Sequence, residues 1–228
     1  MSFVNKIKIS NKKAYIIEII GFVIYVVFIS IAILFYPGGT QTDPSAPGYS
    51  FWFNTFSDTG RVYAHNGERN MISMIFFSIA YCTFALAMVP FFLVFPRLFD
   101  EDSLERKLAK IGGLLGIISS IGFIGVVPTP ADILYIPHMF FALLAYIAFF
   151  LTMALYSVII YRSEKFSKEL SFIFILFTVL FFVFLMMALS SLVLGIRALL
   201  TIGQKIGRFS ILVGFSVLTY GAWKLENE

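Results

Sequence analysis

Cys82 is the only cysteine in these 228 residues, so no disulfide can join two parts of the chain. Lying inside a long apolar stretch, it reads as a small buried side chain. Histidine is nearly absent as well. His65 and His138 leave any zinc set short of a third imidazole, and no His-Glu-x-x-His spacing is present, so carboxylates of Asp58, Glu68 or Asp132 would have to complete it. No metal and no cofactor is expected. Charge is scarce too, at 13% of residues, and the net +4 is explained by how the basic residues distribute about a membrane. With no nucleic-acid motif, a nucleic-acid partner is not expected.

Apolar residues make up 59% of the chain and come in blocks long enough to cross a bilayer, which takes about 20 residues per helix. The expected fold class is all-α: one polytopic membrane bundle of six transmembrane helices at about 14–36, 69–95, 109–127, 136–161, 171–196 and 205–224. The 28 phenylalanines are spread through all six, and most are expected as filler and lipid-facing surface. Close helix approach needs small residues. Gly112, Gly113, Gly116, Ser119 and Ser120 supply them and place the third helix inside the bundle. The first helix follows Lys6, Lys8, Lys12 and Lys13 as a signal peptide would, but it is too long for one and is expected to stay as an anchor.

Twelve of the 17 lysines and arginines then fall in segments assigned to the cytoplasm. The other five, Arg61, Arg69, Arg197, Lys205 and Arg208, fall outside. Both termini are therefore expected in the cytoplasm, with outer loops at 37–68, 128–135 and 197–204. Trp223, Tyr220, Tyr161 and Tyr15 mark the inner interface, and Trp52, Tyr36 and Tyr135 the outer one. The expected location is a multi-pass integral protein of the plasma membrane. The alternating charges between Asp100 and Lys107 read as solvated inner surface. Glu18, one turn inside the first helix, is expected to snorkel to the inner interface, with an inward hydrogen bond as the alternative.

Polar groups near lipid are expensive and usually face the bundle or a wet cavity. They gather on one side. Phe56-Ser57-Asp58-Thr59-Gly60 and Asn66-Gly67-Glu68-Arg69-Asn70 precede the second helix, the prolines around Asp132 put His138 in the first turn of the fourth, and Gln204, Lys205 and Arg208 open the sixth. Ser57, Asp58, Asn66, Glu68, Asn70 and Asp132 are read as a structural polar cap. Capping of a short helix competes as the role of Ser57 and Asp58, and Asn66 and Asn70 share one face if the second helix starts early. Cations at the start of a helix oppose its dipole, so Arg208 and Lys205, with Gln204 and Arg69, are read as the lipid- or anion-binding set. His138 is the candidate general base, with Asp58 or Asp132 as its orienter or a metal ligand. Asp58-Thr59-Gly60 also spells the aspartic-protease triplet, but that chemistry needs a second carboxylate from a second triplet, and none is present.

The Phe56 to Gly60 element, the Asn70 stripe, the Pro128 to His138 turn and Gln204-Lys205-Ile206 together resemble the DRAM-type six-helix membrane family (damage-regulated autophagy modulator), which has fungal and bacterial or archaeal relatives. The chain lacks the prolines that often follow Ser-Asp-x-Gly in animal members, so it is most similar to the prokaryotic-type branch. The resemblance implies a six-helix bundle with both ends cytoplasmic and a lipid-associated role, without handing over a reaction. Membrane lipids are thus the expected partner, and self-association is left open. The favoured reading is a non-enzymatic, lipid-interacting bundle. A metal- or His-dependent lipid hydrolase and a small-solute transporter are the alternatives, beside a cap that only ties the outer loops together.

Overall fold

The computed structural model describes residues 9–227. Lys6 and Lys8, used in the charge argument, lie outside them. Six helices carry the chain: α1 Asn11–Leu34, α2 Met71–Val94, α3 Leu104–Val126, α4 Tyr135–Arg162, α5 Lys168–Leu194 and α6 Arg197–Leu225. All six are long and apolar enough to cross a membrane, so the protein is an all-α, multi-pass integral membrane bundle. Among the described residues the extended pairing is limited to two isolated bridges, Gly38 with Pro47 and Tyr63 with Arg69, both in the loop before α2.

Helix starts differ by side. Ser10, Ser103 and Ser167 cap α1, α3 and α5 with their hydroxyl oxygens, which accept the amides of Lys13, Arg106 and Leu170. The helices that start at the opposite face, α2, α4 and α6, have no side-chain cap. At that face the loops do the work instead. Consecutive helices pack side by side, and α1 closes against α6.

The bundle interior is aromatic, and the phenylalanines divide between filler inside it and side chains exposed on its surface. Phe215 of α6 sits at its centre, with ring centroids 5.0 Å from Phe149, 5.7 Å from Phe91, 5.8 Å from Phe174 and 5.9 Å from Phe92. Such edge and tilted contacts add to burial through the ring quadrupoles. Glycines on α3 make room for these rings and for a neighbouring backbone. A Cβ on Gly116 would lie 2.5 Å from the Phe92 ring, and one on Gly122 would lie 2.7–2.9 Å from the backbone and Cβ of Ala145 on α4. Near Gly122, Ser119 Oγ donates to Ala145 O at 2.8 Å. Gly122→Val must therefore push α3 from α4, and a loss of about 1–3 kcal/mol is expected in chemical unfolding of the detergent-solubilised protein. Wild-type stability in that variant would contradict this packing.

Several boundaries and one side chain depart from the sequence reading, and α3 begins at Leu104 where about 109 was expected. α6 begins at Arg197, so 197–204 is helix and not an outer loop. Gly195 ends α5 in the left-handed region at φ 70°, and a two-residue connection suffices. α2 begins at Met71, so Asn66 is not on its face; Gly67 at φ 86° turns the chain there, and Asn66 Oδ1 accepts the Glu68 amide at 3.0 Å. Glu18 does not snorkel. It lies well inside α1 and is fully buried, accepting the Thr219 hydroxyl of α6 at 2.5 Å through Oε2.

Candidate functional site

α6 is the least apolar of the six helices and the most buried. Its polar residues Arg197, Thr201, Gln204, Lys205 and Arg208 recur every three or four positions, so one face carries them all and that face turns inward. Thr201 Oγ1 donates to Trp52 O at 2.7 Å, Gln204 Oε1 accepts the Phe56 amide at 3.1 Å, and Lys205 Nζ donates to Asn54 O. The loop between α1 and α2 is thereby laid over the start of α6.

Asp58 is the knot of that loop. Thr55 caps the short 3-10 helix Phe56–Gly60, its hydroxyl accepting the Asp58 amide at 3.2 Å while Asp58 Oδ2 accepts the Thr55 amide at 2.8 Å. Asn54 adds a bond to Oδ2 at 3.2 Å, and Oδ1 lies 3.3 Å from both Arg197 Nη2 and His65 Nε2. Burial pushes the Asp58 carboxyl up. The contact with His65, the charge of Arg197 and the Thr55 amide outweigh it and hold the group below the usual carboxylate range. The capping expectation placed the role on Ser57 as well, but Thr55 is the N-cap, and Ser57 lines the adjacent cleft.

The other expected cap residues divide. Asn70 Nδ2 reaches the carbonyls of Thr59 at 3.0 Å and Arg61 at 2.9 Å, and Ser73 Oγ lies within bonding distance of Ala32 O and Thr59 O. Asp132 brings in the loop between α3 and α4, its two oxygens accepting the amides of Val62 at 3.1 Å and Tyr63 at 2.9 Å. Glu68 and Arg69 are exposed and take no part in the cluster. His138 is buried, with Nδ1 at 2.7 Å from Thr129 O. A proton on Nδ1 satisfies that carbonyl and leaves Nε2 with a lone pair. Its orienter is thus a backbone carbonyl, where Asp58 or Asp132 was expected.

Unlike Arg197, the α6 cations Lys205 and Arg208 form no ion pair with these acids. Lys205 Nζ stands 5.3–5.6 Å from the ring centres of Phe51, Phe56 and Tyr49. Arg208 goes deeper. Its guanidinium carbon is 4.8–4.9 Å from the rings of Tyr25, Tyr81, Phe84 and Phe123, on α1, α2 and α3, with the hydroxyls of Tyr81 and Tyr146 as its polar neighbours and no carboxylate beside it. Ring quadrupoles take the place of a carboxylate.

Beside the Asp58 knot a cleft of about 520 Å³ opens between the halves of α4 and α5 nearest that knot. Asp58, Arg61, His65, His138, Arg197 and Gln204 line its polar end, and Leu143, Ile147, Leu185 and Leu189 its apolar end. Among the described residues no three histidine, cysteine, aspartate or glutamate side chains come together as a metal-binding group.

No family model, curated protein or solved structure matches the chain.

Arg61, His65 and Arg197 are the three members of the cleft's polar end that sequence reasoning did not place in the binding or catalytic sets. Arg197 was legible in principle, since the spacing Arg197, Thr201, Gln204, Arg208 is that of one helix face. His65 carries no such signal, because a turn of loop and not a period brings it to Asp58.

Proposed function

We propose that this membrane bundle binds a lipid at the cleft between α4 and α5, with the polar head at Arg197, Gln204 and His65 and a hydrocarbon chain between Leu143, Ile147, Leu185 and Leu189. The observation that carries the reading is the gradient within one cavity: charged and amide side chains at one end, aliphatic ones at the other, between two lipid-facing helices. From His138 to Ile147 the α4 wall runs about 14 Å, close to the hydrocarbon depth of one leaflet. In the expected orientation this is the outer leaflet of the plasma membrane. The reading fits a lipid-associated protein of the DRAM-like type. It moves the head contact from Arg69, Lys205 and Arg208 to Arg197, because the first is exposed away from the cluster and the other two are held by rings.

Ala142 lines the cleft one turn from His138 toward the apolar end, so Ala142→Trp fills the space where the chain would lie and leaves Arg197, Gln204 and His65 in place. Wild-type protein purified in mild detergent is expected to retain about one lipid per chain by native mass spectrometry, and the variant to lose most of it with its thermal unfolding little changed. Equal retention in a folded variant would remove the proposal. A second reading, lipid hydrolysis, is favoured by one observation: His138 lines the cleft with Nδ1 held by Thr129 O, so Nε2 is available as a general base. Incubating the same protein with the retained lipid class separates the two readings, since hydrolysis releases fatty acid or head group and binding alone does not.

A further inference from the structure

A second opening lies at the other end of the bundle. It is a groove of about 960 Å³ between α1, α5 and α6, walled by Phe22, Val26, Ile173, Leu212, Val213 and Val217. Both charged residues on its lining, Lys165 and Lys224, are lysines at the end assigned to the cytoplasm, with Ser167 and Tyr220 beside them. Lys165 Nζ donates to Leu98 O at 2.9 Å and lies 3.4 Å from Asp100 Oδ1 on the exposed inner loop, and a third ammonium proton is left. Lys224 sits in the last turn of α6, where the helix dipole favours a cation. Along α6 the lining runs from Leu212 to Leu225, about 20 Å, which is one hydrocarbon leaflet and the headgroup layer next to it.

We infer that this groove binds an anionic phospholipid of the cytoplasmic leaflet, its phosphate between Lys165 and Lys224 and one acyl chain along the apolar walls. Charge and depth carry the assignment. A zwitterionic lipid would bring a quaternary or primary ammonium to two lysines, whereas an anionic one brings only negative charge. Neither end of the groove shares a lining residue with the cleft between α4 and α5, so this site stands independently of that one.

The two tryptophans supply the assay. Trp223 is exposed beside Lys224, and Trp52 lies in the loop before α2, so the Trp52→Phe protein reports on the inner end of α6 alone. In phosphatidylcholine vesicles, brominated phosphatidylglycerol is expected to half-quench Trp223 at a mole fraction many-fold below that needed with brominated phosphatidylcholine, each lysine contributing about fivefold. Lys165→Gln with Lys224→Gln should bring the two lipids to equal quenching. Ser216→Phe narrows the groove and leaves both lysines in place, and it too should remove the preference. Equal quenching by the two lipids in the Trp52→Phe protein overturns the site. So does a preference that survives the lysine substitutions, or one that survives Ser216→Phe, which would mean that surface charge attracts lipid without the groove. An empty outer cleft leaves all of these readings unchanged.

Discussion

Asp58→Asn is expected to destabilise the protein by about 2–4 kcal/mol, less than the usual loss when one partner of a fully buried ion pair is removed, because the Arg197 side chain is 31% exposed. The carboxylate is nearly inaccessible and holds Arg197, His65, Thr55 and Asn54 at once. Asparagine fills the same space and can still accept the Thr55 amide. It cannot balance Arg197, which would stay at the uncapped start of α6, where the helix dipole opposes a cation. Chemical unfolding of the detergent-solubilised protein measures the loss, and Arg197→Gln in the Asp58→Asn background should recover part of it because the unbalanced charge is gone. A single-variant loss below about 1 kcal/mol would show that the knot is incidental to stability.

The same group sets an acid limb. Its folded-state carboxyl lies below the ordinary value, so its contribution is complete above the unfolded-state pKa of about 3.9 and is lost as the pH falls through the lower folded value. Wild-type stability should therefore fall steeply below about pH 4, and the Asp58→Asn protein should show a shallower fall over that range. Matching acid limbs in the two proteins would assign the acid sensitivity elsewhere.

Arg208 gives the second large effect, and its sign depends on what replaces it. Arg208→Ala leaves a hole among four rings and is expected to cost about 3–5 kcal/mol, as large-to-small changes in a tight core do. Arg208→Met keeps most of the volume and removes a buried charge that has no carboxylate beside it. It should come within about 1.5 kcal/mol of the wild type, in the range of volume-conserving swaps. If Met proves as damaging as Ala, the guanidinium charge and its contacts with the Tyr81 and Tyr146 hydroxyls matter more than its packing. Unfolding curves for the three proteins in one detergent decide between these outcomes.

Much of the candidate site was legible as a location and little of it as a set of contacts. Asp58, Asp132, His138 and Gln204 were placed on one face because hydropathy and the distribution of lysine and arginine order the loops. Partners were another matter. Asp132 holds two backbone amides, Lys205 and Arg208 are held by rings, and Arg197 takes the carboxylate that Arg208 was expected to face. A backbone amide or a phenylalanine ring has no charge pattern to read in sequence, so complementary charges alone gave the wrong pairs.

The amino-acid sequence by itself determined that this protein is a six-helix membrane bundle. Lipid offers no partner for a bare backbone, and six apolar blocks of the right length leave only helices that cross. It did not determine where α6 begins, because Arg197, Thr201, Gln204 and Lys205 lower the hydropathy of a helical turn whose polar face meets protein instead of lipid. Tertiary structure decided that, and with it the Asp58 knot, the ring cage around Arg208 and the two openings. Each is made by residues from two or more segments distant in the chain, and their meeting depends on side-chain shapes filling shared space, which no local pattern encodes.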